Sequence, residues 1–281
     1  MQNRENAGKN KKTVLIIAIA LLLVLALTLG GFTFARYISS GSGSDTARVA
    51  AWGFTISVGD DSDEGFQTSY QNDDSEVIVA AVDSTKVVAP GTSGKITFSI
   101  TGTAEVAAKV TMTVGNNAGI EQDVRDIGVV LTPGEGEAIT YNPVRFTLKK
   151  GGTTVQVNGE NKIVASEGTA VENVSLTELA TILEAAFTEE VKPNAQITTA
   201  GTYTIEWSWA FENKYFTADG DITDTPTDNL SCDVLDTIIA QPQENRPAAV
   251  TIGATEYSIS GITQEIGFAL SISVEQIEDL A

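Results

Sequence analysis

The 281-residue chain has no histidine, a single cysteine and few bases, with 17 Lys and Arg against 37 Asp and Glu. Without histidine, neither Ser-His-Asp nor Cys-His catalysis can be assembled, and zinc sites of the HExxH type are excluded. One cysteine, Cys232, permits no intrachain disulfide. An exported form must then rely on its core, and Cys232 reads as a small buried hydrophobe. The shortage of base gives a net charge of −20. Such a surface repels nucleic acid and anionic lipid, and favours cations and solubility. The acids are spread over loops, and no pair stands out as a glycosidase dyad. The composition therefore points away from an enzyme and names no cofactor.

The bases that are present lie unevenly. Arg4, Lys9, Lys11 and Lys12 precede an uncharged segment from Thr13 to Ala35. A basic flank followed by an apolar run is the layout of an export signal. The run is also long enough to span a bilayer as a helix, so length leaves signal and anchor both open. Thr33-Phe34-Ala35 puts small residues at the −3 and −1 positions of a cut between Ala35 and Arg36. Either way, Arg36 onward lies outside the cytoplasm, because the positive flank stays inside. Losing residues 1–35 leaves 13 basic and 36 acidic residues, a net charge of −23. Next comes a Gly/Ser-rich arm, residues 36–46, with Tyr37 and Ile38 as its substantial apolar side chains.

From residue 47 to 281 the dominant signal is alternation with period two, the mark of half-buried strands in antiparallel sheets. Trp52, Phe54, Ile56 and Val58 share one face of a run, and so do Ile96, Phe98 and Ile100. Val106 to Val114, Val144 to Leu148 and Phe268 to Val274 repeat the pattern. In YTIEWSWAFE, Tyr203, Ile205, Trp207, Trp209 and Phe211 form an aromatic-rich stripe opposite Glu206 and Glu212. That stripe reads as core, since the other face carries charges that would be costly to bury unpaired. Pro90-Gly91 marks a loop, and Gly151-Gly152 the turn of a hairpin. In SLTELATILEAAF, Ser175 and Glu178 fit a capping box, with Leu176, Leu179, Ile182, Leu183 and Phe187 at helical spacing. Residues 115–137, 159–174, 213–229 and 241–247 read as irregular loops.

Two acidic clusters, GDDSDEG and ADGDITDTPTD, offer hard oxygen ligands on loops. Asp61, Asp63, Asp219 and Asp221 are thus candidate calcium ligands, although neither cluster meets EF-hand spacing.

Several segments in order resemble one family: the signal ending TFARY, the arm leading into DTARVAAWGF, the block VVAPGTSGKITFSITGTAEVAAKVTM, YNPVRFTL, YTIEWSWAF, DVLDTIIA and a final strand. Together they look like the TasA/camelysin family of Gram-positive bacteria, exported through a SipW-type signal peptidase. The resemblance implies an all-β, jelly-roll-like antiparallel β-sandwich with one or two short helices in loops, preceded by a hydrophobic signal helix. It implies a secreted structural protein whose subunits join by donor-strand complementation into biofilm matrix fibres. The partners would be further copies of the chain and the signal peptidase, with the membrane met only through residues 13–35 before cleavage. Camelysin is described as a metallopeptidase, but no metal-ligand motif here carries that activity over. The arm departs from a donor strand, whose alternating apolar side chains fill pockets in its acceptor, because its anchors stop at Ile38. A tether, or a surface adhesion module retained by residues 13–35, is the competing reading.

Overall fold

The computed structural model describes residues 39–41, 47–48, 55–58, 65–70, 79–81, 86–103, 105–115, 124–210, 214–267 and 269–277. They form an all-β fold of antiparallel sheets with two α-helices among the described residues. No helix of the described residues is long and apolar enough to cross a membrane, and residues 13–35 lie outside them.

The largest sheet runs in the order Thr153–Thr154, Val144–Lys150, Gly201–Trp209, Ser93–Thr101, Thr55–Val58 and Ala47–Arg48. Alternation sets its inner face. Tyr203, Ile205, Trp207 and Trp209 are buried, beside Val144, Phe146 and Leu148 on one neighbour and Phe98 and Ile100 on the other. The aromatic stripe is therefore core over its described length. A second sheet places Ser39–Gly41, Ala269–Gln276, Ala108–Gly115 and Glu189–Val191 in that order. Ala108, Val110, Met112 and Val114 bury against it with Leu270, Ile272 and Val274. A third sheet orders Ala249–Ile252, Thr255–Thr263, Gly128–Pro133 and Ile139–Tyr141. The buried side chains of all three merge into one hydrophobic cluster.

Trp207 explains one glycine. Its register partner is Gly94, and its indole N–H donates to the Gly65 carbonyl at 2.5 Å. A Cβ at Gly94 would lie 2.6 Å from both the indole nitrogen and that carbonyl, so only glycine lets the ring lie flat there. The ring is completed by Phe66 at 5.1 Å and by Tyr70, edge-on, at 6.1 Å between centroids.

The helix Leu176–Phe187 begins as its sequence dictates. The Ser175 N–H donates to Glu178 Oε2 at 2.8 Å, and the Glu178 N–H donates to Ser175 Oγ at 3.2 Å. Its buried stripe ends in Phe187, set edge-on to Tyr203 and Phe98. The second helix, Cys232–Ala240, follows Ser231, which makes no side-chain cap. It is held instead by burial of Leu235, Ile238 and Ile239.

The turns follow their residues. Thr92 N–H donates to the Ala89 carbonyl at 3.0 Å across Pro90 and Gly91, whose φ is +84°. Those are the residues of a type II turn. Gly151 and Gly152, both at positive φ, join Val144–Lys150 to Thr153–Thr154.

The segments read as irregular contain more structure than expected. Residues 115–137 hold the strand Gly128–Pro133, whose run of Val129, Val130 and Leu131 has too little alternation to announce a strand. Residues 159–174 and 213–229 contribute two-residue strands to two small three-stranded sheets, and 241–247 contains a turn of 3-10 helix. Two residues are too few for any period to register.

Candidate functional site

One sheet edge is built from the arm. Ser39–Gly41 pairs antiparallel with the C-terminal strand, with Ser39 opposite Val274, Ser40 opposite Ser273 and Gly41 opposite Ile272. On its other side the same C-terminal strand pairs with Ala108–Gly115 along all eight residues, Ala269 to Gln276. The arm's ladder is thus short where the inner ladder is long. Among the described residues, Ala269–Ser271 and Glu275–Gln276 have no strand partner on the arm's side. Leu270, Ile272 and Val274 point inward, and the polar Ser271, Ser273 and Glu275 alternate with them. A backbone edge flanked by buried apolar positions is a template for another strand.

The other expected site residues fall as follows. Ala35, Arg36, Tyr37, Ile38, Asp61 and Asp63 lie outside the described residues. Asp219 and Asp221 belong to one turn, where the backbone N–H groups of both donate to Thr217 Oγ1, at 3.2 and 3.0 Å. Gly220 sits between them at φ +91°. The nearby Asp224 is paired with Lys214 Nζ at 2.6 Å. Among the described residues no group of three or more His, Cys, Asp or Glu is placed to hold a metal.

That turn forms one wall of a cleft of about 1020 Å³, which sequence reasoning missed. Arg145 and Ser208, cross-strand partners in the large sheet, line it as well. Asn173 and Glu178, before and within the first helix, add polar groups to the lining. Tyr141, Trp209 and Cys232 also line it. The buried Asp236 accepts from the Tyr141 hydroxyl at 2.8 Å and from the Trp209 indole N–H at 3.0 Å. Burial pushes Asp236 up to about 6, although both hydrogen bonds favour its ionised form. Burial also raises the Tyr141 hydroxyl well above its ordinary range and the Cys232 thiol to about 11. Cys232 is therefore protonated and unreactive at neutral pH.

A second, half-buried acid feels the charge of Arg145. Asp126 Oδ2 accepts from the Leu176 N–H at 2.9 Å, while Oδ1 is buried without a hydrogen-bond partner. Burial raises Asp126 to about 7, against the opposing pull of that N–H and of the Arg145 charge. The Arg145 guanidinium itself makes no hydrogen bond or ion pair among the described residues. No local motif unites these groups, which come from positions 126 to 236. The one available signal was Asp236, an acid set inside the apolar run Val234 to Ile239. Compared with known proteins, the chain matches no family model, no curated protein and no solved structure.

Proposed function

We propose that the chain is an exported, jelly-roll-like structural protein whose subunits exchange their N-terminal arms to build extracellular matrix fibres. The observation that carries this reading is the position of Ser39–Gly41 at the edge of a sheet, against a strand more than twice its length. The arm is a short, Ser/Gly-composed strand. Its departure would uncover backbone groups at Ile272–Val274 that an identical arm from another subunit can satisfy in the same register. One arm donated and one edge accepted per subunit is a head-to-tail contact, which grows as a filament unless it closes into a ring. Residues 13–35 hold the precursor at the membrane until a SipW-type peptidase cuts after Ala35. The net charge of −23 after that cut opposes association, so lower pH, added salt or divalent cations favour it.

The test is a covalent lock. Ser40 and Ser273 are register partners, and Ser273 alternates with the buried Ile272 and Val274. Ser40→Cys with Ser273→Cys, oxidised, ties the arm to its own sheet. Light scattering and electron microscopy should show monomers in the oxidised form and filaments after reduction. Equal filaments from both forms would sink arm exchange.

A further inference from the structure

We propose that the cleft between Arg145 and the Thr217–Asp221 turn binds an acidic saccharide, a hexuronate unit whose carboxylate is held by Arg145. This reading is independent of how the subunits assemble. Three observations lead to it. First, Arg145 has no hydrogen-bonding or ion-pair partner among the described residues, although it is partly buried at the wall of a cleft of about 1020 Å³. A guanidinium offers a planar fork of donors matched to a carboxylate, and here the charge of Asp126 acts on it without any hydrogen bond filling that fork. Lys214 adds positive charge at the same cleft, while its own ammonium is held by Asp224 at 2.6 Å.

Second, the rest of the lining suits hydroxyls. Ser208 and Asn173 donate and accept, and Asp221 and Asp224 bring carboxylate acceptors. Glu178 commits Oε2 to the helix cap, through the Ser175 N–H at 2.8 Å and its hydroxyl at 2.9 Å. A ligand with one carboxylate for Arg145 and several hydroxyls to donate to Asp221 and Asp224 matches this lining.

Third, the floor rejects a neutral sugar held by stacking. Trp209 is 5% exposed and Tyr141 2%, and the polar atoms of both are spent on Asp236. Neither ring presents a face, so the anchor has to be charge.

The experiment titrates the purified chain with trigalacturonate in 150 mM salt by calorimetry, beside its fully methyl-esterified counterpart. The acid should bind and the ester should not. Arg145→Gln should weaken binding on the order of tenfold to a hundredfold, as loss of a charge-assisted pair does. Arg145→Lys should fall between, because it keeps the charge and loses the fork. Should Arg145→Gln lower the melting temperature sharply, Ser208→Trp decides instead: it fills the cleft from an exposed strand position and should abolish binding. Absence of binding to the unaltered chain at millimolar trigalacturonate, equal binding of the ester, or unchanged affinity in Ser208→Trp would each overturn the proposal.

Discussion

The strands Gly201–Trp209 and Ser39–Gly41 both pair in antiparallel ladders, yet the extent of their pairing differs sharply. The first pairs on both sides, over seven residues with Val144–Lys150 and eight with Ser93–Thr101. Four of its side chains are buried, two of them indoles. The second pairs with one neighbour over three residues, Ser-Ser-Gly. A sheet opens locally where buried apolar contacts are few and backbone bonds reach solvent. The contrast separates the centre of the sheet system from its least-paired edge, and four perturbations test it in descending order of effect on the fold.

The centre should break first. Trp207→Ala removes a side chain that is 2% exposed, together with its bond to Gly65 and its contacts with Phe66 and Tyr70. The expected cost is about 3–5 kcal/mol, read by denaturant unfolding. A loss under about 1 kcal/mol would mean that the stripe is not the core of the fold.

The next perturbation is pH. In the folded chain Asp126 is raised from 3.8 to about 7 and Asp236 to about 6. Each folded carboxyl thus holds its proton more tightly than the unfolded one. Stability from these groups is fully present below about pH 4 and is lost as pH rises through 6 and 7. Asp126→Asn keeps an acceptor for the Leu176 N–H and removes the titration. The melting temperature of the unaltered chain should drop between pH 5 and pH 8, by an amount equivalent to roughly 2–4 kcal/mol from Asp126. The variant should lose most of that dependence. An identical pH profile in both would show that Asp126 ionises normally.

The two helices show what the sequence makes legible. The first could be read residue by residue, because Ser175, Glu178 and the Leu176–Phe187 stripe satisfy a local rule that the structure repeats atom for atom. The second has no cap, and its one buried acid answers to Tyr141 and Trp209, about 95 and 27 positions away. The long alternating strands were equally plain, since period two is a local property. The strand Gly128–Pro133, the two-residue strands and the cleft were not, because their meaning comes from which distant segment lies opposite. The same holds for the arm: its composition pointed to an extension, and only the pairing with Ile272–Val274 gave it an edge.

A smaller loss is expected at the legible helix. Ser175→Ala deletes one side of the capping box while leaving the buried stripe intact. It should cost about 1 kcal/mol, within the range for lost N-caps. A cost above about 3 kcal/mol would show that the helix start bears on the sheets beyond its own first turn.

The smallest effect on the fold should come from the arm. Removing residues 36–46 takes away the Ser39–Gly41 ladder. The backbone bonds lost contribute about 0.5–1.5 kcal/mol each. Ordering each residue of a Ser/Gly segment costs about 1–2 kcal/mol, so the two terms nearly cancel. The shortened chain should therefore unfold within about 1 kcal/mol of the intact one. Its assembly should differ completely, because the sheet edge at Ile272–Val274 would be open and no subunit would have an arm to fill it. Adding a synthetic peptide of residues 36–46 should cap that edge and protect the amides of the C-terminal strand from hydrogen exchange, without restoring filaments. Filaments from the shortened chain alone would show that growth uses another surface. A loss of several kcal/mol on deletion would show that Ser39–Gly41 belongs with Gly201–Trp209 as part of the core, too costly to lend to a neighbour.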